Sequence, residues 1–174
     1  MKKVIVFLAN GFEEIEALTA VDVLRRAGAE VETVSVCDKT VIGAHGIKVV
    51  ADKTENEVDI GCYDAVVLPG GMPGAKILGE CKKVIDCVSS FDARHKIIAA
   101  ICAAPATVLG MNGFAAGRRV TCYPAEQFIN VLEDATYTGE EVTEDGNLVT
   151  ANGPLAAMKF ALKVCEKLGL KAAF

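Results

Sequence analysis

The chain has 174 residues, 52% of them hydrophobic, and carries a formal net charge of -5. That is apolar material enough for one full core and argues against global disorder. No Lys/Arg cluster supplies the footprint of a nucleic-acid binder, and the apolar runs are too short or too broken to span a bilayer.

The first predicted element is a strand, Val4-Ile5-Val6-Phe7-Leu8, whose continuous apolar character fits a central parallel strand covered on both faces. Glu13, Glu14 and Glu16 follow it with no small-residue cleavage site, so the start reads as structure rather than a signal peptide, in a cytoplasmic protein. Residues 13–27 form a helix by the spacing of Ile15, Leu18, Val21 and Leu24, with Gly28 ending it. Val31–Val36 alternates as the second strand. Thr40–Val50 reads as a hairpin around Gly43-Ala44-His45-Gly46.

Asp64–Leu68 is another buried strand, closed by Pro69-Gly70-Gly71. A helix over Cys81–Phe91 precedes the strand Ile97–Ile101, and a further helix spans Ala103–Leu109, with Pro105 tolerated in its first turn. Arg119–Cys122 is strand-like and Pro124–Val131 a short helix. Val142–Thr143 and Leu148–Thr150 flank a turn at Glu144-Asp145-Gly146-Asn147. The last helix runs from Asn152-Gly153-Pro154 to about Leu168, with Leu155, Met158, Ala161, Leu162 and Cys165 as its expected apolar stripe. Alternating strands and helices without a linker imply a doubly wound α/β sandwich, one domain over 1–174, with a mostly parallel sheet.

Seven cysteines stand at 37, 62, 81, 87, 102, 122 and 165. The odd number, the lack of C-x-x-C and the absence of a nearby histidine argue against a disulfide framework or a metal site. Cys102 differs from the others by its place after an apolar strand, on a tight turn into a helix. There the helix N-terminus would favour a thiolate, and Ala103 would offer its N–H as an oxyanion donor. Gly71 could bring a second N–H to the same point. Taken alone, this leaves Cys102 between a nucleophile and one more buried thiol at a packed corner. In the first helix, Glu13 and Glu14 are expected to stay solvated and complement the dipole, while Glu16 turns inward and is held protonated. His95 belongs to the opposite end of the sheet. His45 is expected on an exposed turn, with a reach into a crevice of its own or a partner subunit as the alternative.

Four segments carry a resemblance over nearly the whole chain. They are Gly11-Phe12-Glu13-Glu14-Ile15-Glu16, Asp22-Val23-Leu24-Arg25-Arg26-Ala27-Gly28, Tyr63-Asp64-Ala65-Val66-Val67-Leu68-Pro69-Gly70-Gly71 and Ala99-Ala100-Ile101-Cys102-Ala103-Ala104-Pro105. In order and spacing they resemble the ThiJ/PfpI superfamily on its DJ-one-like branch. The resemblance implies a flavodoxin-like sandwich, usually homodimeric, with Cys102 as an oxidation-prone nucleophile and Glu16 as its protonated partner. Gly71 and Ala103 then match the backbone donors of the oxyanion pocket.

One departure stands out. Thr121-Cys122-Tyr123-Pro124 occupies the place where many relatives carry a histidine, and Tyr123 is a poor base near neutral pH. The implied activity is glyoxalase- or deglycase-like, on small reactive carbonyls or glycated substrates, without metal or organic cofactor. The alternative is a redox sensor or stress-protective protein that uses Cys102 oxidation. A cysteine peptidase or amidase is the distant one, needing a histidine from a partner subunit, with His45 as the candidate.

Overall fold

The computed structural model describes residues Met1–Phe174. Seven strands form the main sheet in the order β10-β11-β7-β6-β1-β2-β5. They are β1 (Lys3–Leu8), β2 (Glu30–Ser35), β5 (Lys53–Thr54), β6 (Ala65–Leu68), β7 (Ile97–Ile101), β10 (Val142–Asp145) and β11 (Leu148–Ala151). Every pairing is parallel except β10 with β11, which are joined by a tight turn.

Along β1 the side chains alternate between two cores. Ile5 and Phe7 enter one, Val4, Val6 and Leu8 the other, as the period-2 geometry of a strand requires. Helices α1 (Glu14–Arg26) and α5 (Ala157–Lys167) cover one face through Ala17, Val21, Leu24, Phe160 and Val164. Helices α2 (Gly74–Glu80) and α3 (Lys82–Ala93), with a π-helix at Pro105–Gly110, cover the other through Leu78, Val88, Phe91 and Leu109. The expected flavodoxin-like α/β sandwich is therefore the observed one.

A small antiparallel pair, β3 (Thr40–Ile42) and β4 (Lys48–Val50), forms the expected hairpin. A second small sheet pairs β8 (Arg119–Val120) with β9 (Thr136–Tyr137) in parallel, and α4 (Glu126–Ile129) lies between them in sequence. No helix is long and apolar enough to cross a membrane.

Residues Gly74–Glu80, for which the sequence suggested no element, form α2. Two sequence expectations are corrected. The segment after Cys102 is a turn followed by a π-helix that begins only at Pro105. The apolar stripe expected on the last helix is split: Ala161 and Cys165 are buried with Ala157, Phe160 and Val164, whereas Leu155, Met158 and Leu162 face outward. That helix is apolar on two sides, and spacing alone does not say which side meets the sheet.

The strand order fixes where the site lies. After β1 the chain moves outward to β2, and it returns on the other side of β1 with β6 and β7. The loops leaving β1 and β6 therefore diverge at their carboxyl ends, which opens a crevice at the point where the strand order reverses.

Candidate functional site

Three loops meet in this crevice: Ala9–Glu13 after β1, Pro69–Pro73 after β6, and Cys102–Ala104 after β7. The first two are stitched together by the Glu13 N–H, which donates to the Gly70 carbonyl at 2.9 Å. The contact is so close that a Cβ on Gly71 would lie 2.4 Å from the Glu13 nitrogen, and Gly71 also has φ +84°. Only glycine meets both demands. A Cβ on Gly70 would lie 2.5 Å from the Cys102 Cβ and 2.6 Å from Glu16 Oε2. The missing side chain of Gly70 is thus the space in which the thiol and the carboxyl come together.

Cys102 sits on its turn with φ +64°, a left-handed conformation that non-glycine residues rarely adopt and that costs about 1–3 kcal/mol. Two backbone bonds hold it there. The Cys102 N–H donates to the Ala151 carbonyl at 2.8 Å, and the Cys102 carbonyl accepts from the Tyr123 N–H at 2.8 Å. The residue is partly exposed, whereas Cys87, Cys122 and Cys165 are buried.

Glu16, on the first turn of α1, is completely buried. Its Oε2 accepts the Gly70 N–H at 2.7 Å, while Oε1 is buried without a hydrogen-bond partner. An ionised carboxylate is poorly served by such a place, whereas a carboxylic acid can put its proton on the unpartnered oxygen. Burial accordingly raises the Glu16 pKa to about 7, against the opposing bonds from Cys102 and the Gly70 N–H and with help from the Glu13 charge.

Cys102 does not behave as a thiol simply acidified by a helix end. Burial pushes its pKa up, and the charge and hydrogen bond of an ionised Glu16 push it further; the Gly71 and Ala103 N–H groups oppose this. The π-helix starts too late to dominate. Protonating Glu16 removes its repulsion and turns it from acceptor to donor, so a thiolate at Cys102, facing the Gly71 and Ala103 N–H groups, is best held when Glu16 carries its proton.

The remaining sequence candidates take different places. Glu14, expected to be solvated, is only 4% exposed. Its carboxylate lies under the β3–β4 hairpin, where Oε1 accepts the His45 N–H at 2.7 Å and the Ile47 N–H at 3.4 Å, and Oε2 lies 2.9 Å from His45 Nδ1. Burial alone would raise its pKa, but the His45 ring and these N–H groups together lower it. Glu13 is mostly covered too, with His45 Nδ1 3.6 Å away. His45 therefore belongs to the hairpin and its two glutamates, and neither histidine ring hydrogen-bonds to Cys102. Glu13, Glu14 and His45 bring ligand atoms within 4.8 Å of one another, but Glu14's oxygens are already engaged inside the group. Tyr123 does reach the site, through its main-chain bond to Cys102, and its half-exposed ring packs edge-on against Phe128. Sequence reading missed the burial of Glu14 because its partners are supplied by a hairpin about thirty residues away along the chain.

The fold is thus a doubly wound sandwich with a cysteine on a strained turn after a central strand, beside a buried glutamate. Residues 2–167 match the model of the DJ-1/PfpI family, and the chain belongs to that family. It is 40% identical over 169 residues to Protein DJ-1 homolog B of Arabidopsis thaliana, covering 96% of this chain and 38% of that protein. It is 38% identical over 168 residues to Protein DJ-1 homolog A of the same plant, covering 96% and 43%. The chain thus spans less than half the length of these plant relatives. Against Protein dj-1beta of Drosophila melanogaster it is 40% identical over 172 residues, covering 98% and 91%. Among solved structures, a cysteine-to-alanine mutant of a DJ-1 superfamily protein from Salmonella typhimurium superposes with a TM-score of 0.91 at 40% identity, covering 97% and 91%. Oxidised DJ-1 of Toxoplasma gondii superposes with a TM-score of 0.89 at 39% identity, covering 97% and 91%.

Proposed function

We propose that Cys102 and Glu16 form a cofactor-independent catalytic pair that converts small 2-oxoaldehydes to 2-hydroxy acids. The observation that carries this reading is the buried Glu16 carboxyl with one unpartnered oxygen, beside a thiol flanked by two main-chain N–H groups.

At neutral pH the thiolate with protonated Glu16 is the reacting form. The sulfur attacks the aldehyde carbon as the Glu16 proton passes to the carbonyl oxygen, giving a hemithioacetal. The Gly71 and Ala103 N–H groups hold that oxygen as it gains charge. Glu16, now a carboxylate with a pKa of about 7, takes the C1 proton and returns it to C2, while the hydroxyl proton moves to the C2 oxygen. C1 is oxidised and C2 reduced within one molecule, so no outside oxidant is involved. The product is a hydroxyacyl thioester, and water breaks its C–S bond, regenerating the thiol.

The test is lactate formation from methylglyoxal by the purified protein, with Cys102→Ser and Glu16→Gln as controls. Turnover in wild type that both substitutions abolish supports the reading; activity that survives Cys102→Ser sinks it.

A second reading, a redox sensor without turnover, is favoured by the absence of any histidine bonded to Cys102, which leaves the thiol no base near neutral pH except Glu16. A sulfinate at Cys102 would be held by the same two N–H groups and the Glu16 proton. Mild peroxide followed by intact-mass and peptide analysis distinguishes it: two added oxygens on Cys102 alone are expected, and equal oxidation of several cysteines contradicts it. The outward apolar side chains Ile15, Met158 and Leu162, all 40% exposed or more, support assembly as a homodimer. Light scattering at micromolar concentration tests that: a dimer mass is expected, and a monomer overturns it.

A further inference from the structure

Two segments outside the crevice loops hold the Cys102 backbone in place. Ala151 accepts the Cys102 N–H, and Tyr123 donates to the Cys102 carbonyl. The residues that continue from these contacts, Tyr123 and Pro124 on one side and Asn152 to Leu155 on the other, line an open surface pocket of about 200 Å³.

Its lining is uncharged: the Tyr123 ring, the Pro124 and Pro154 rings and the Leu155 side chain, with the Asn152 amide and the Tyr123 hydroxyl as polar side-chain groups. Tyr123 is braced from behind by Phe128, ring centroids 6.4 Å apart at 87°. On the facing side a Cβ on Gly153 would stand 3.4 Å from the tyrosine ring, and this residue has φ +154°. Glycine keeps that side of the slot open. An apolar cavity of about 150 Å³ is enough to hold a benzene ring. This pocket, open on one side, has room for a phenyl group, and a methyl group would leave most of it unfilled.

We propose that this cavity is a substituent subsite, and that Tyr123 is the residue that makes the Cys102 centre select carbonyl compounds bearing a planar aromatic group over their methyl counterparts. The proposal rests on the carbonyl reading above and names its substrate class: aryl 2-oxoaldehydes. Tyr123 acts here through its ring face rather than as a base. A ring stacked against tyrosine and proline loses water from both faces, which a methyl group cannot match.

The test uses two haloketones that alkylate a thiol irrespective of turnover, 2-bromoacetophenone and bromoacetone. In each case the sulfur–carbon bond forms, bromide leaves and the thiol proton goes to solvent. Each rate at Cys102 is divided by the rate of the same reagent with N-acetylcysteine. The aryl-to-methyl ratio is expected to be about tenfold or more in wild type, to be retained in Tyr123→Phe, which keeps the ring, and to fall to near one in Tyr123→Ala. In parallel, kcat/KM for phenylglyoxal against methylglyoxal should follow the same ratio. A normalised ratio near one in wild type, or one unchanged by Tyr123→Ala, overturns the subsite. Selective alkylation without any turnover of either glyoxal keeps the subsite and removes the catalytic reading; turnover without selectivity does the reverse.

Discussion

Replacing Glu16 by glutamine should remove a specific pH dependence from the stability of the fold. In the unfolded chain the carboxyl titrates near its ordinary 4.5, and in the folded protein at about 7. The folded state therefore binds this proton more tightly, so the stabilisation is complete below about pH 4.5 and is lost as the pH rises through about 7. At about 1.4 kcal/mol per unit, the shift amounts to about 3 kcal/mol, of which about 2.5 kcal/mol falls between about pH 5 and pH 8.5. No discount for solvent screening applies, because Glu16 is 0% exposed. Glutamine is neutral throughout; its carbonyl can still accept from Gly70 N–H while its NH₂ takes the position of the unpartnered oxygen. Urea unfolding of both proteins across this range gives the difference between their midpoints, in which all shared titrations cancel. The gap should move in favour of Glu16→Gln by about 1 M urea on going from acid to alkaline pH. A gap that stays constant with pH refutes the claim that Glu16 carries a proton in the folded protein.

Gly70→Ala should strip Cys102 of its reactivity, since its Cβ would stand 2.5 Å from the Cys102 Cβ and 2.6 Å from Glu16 Oε2. Alkylation at Cys102 should slow at least about tenfold, with a loss of about 1–3 kcal/mol in stability; wild-type reactivity in a folded variant would contradict the shared space inferred for the pair. Glu14→Ala should loosen the β3–β4 hairpin, leaving the His45 and Ile47 N–H groups without their acceptor. Limited proteolysis should then cut within Gly43–Gly46 faster in the variant than in wild type, and equal rates would contradict the clamp. In wild type the same cleavage should accelerate under acid, because a carboxylate with a lowered pKa stabilises above its unfolded pKa and loses that contribution as the pH falls.

How much of this was readable in the sequence depends on whether the deciding partners are local. β1, β6 and β7 were plain because a strand covered on both faces must be apolar at every position, and their ends located the crevice. That Cys102 and Glu16 lie at the crevice followed from position, one just after a central strand and the other on the first turn of a helix that begins just after another; their pairing came from the family resemblance. The π-helix after Cys102 was not legible, because Ala103–Leu109 has the apolar content of an ordinary helix and the register shift arises from packing. Nor was the left-handed turn at Cys102, since cysteine carries no preference for it. Helix α2 is seven residues long and contains Gly74 and Gly79, so propensity argued against it and packing, chiefly against the π-helix, sustains it. Glu14 looked like a dipole-complementing surface residue until the hairpin was seen to cover it.

The most direct measurement is the alkylation rate of Cys102 as a function of pH, in wild type and in Glu16→Gln. A thiol and a carboxyl that share protons titrate as a pair. The wild-type profile should rise in two steps, the first near 7, where the pair loses its first proton, and the second well above the ordinary thiol range, where both groups are ionised. Glu16→Gln should show one step only, with the inflection near 7 gone. A single wild-type step near the ordinary thiol value of about 8.5, left unmoved by the substitution, would mean that Glu16 does not tune Cys102 and that the proposed pair does not exist.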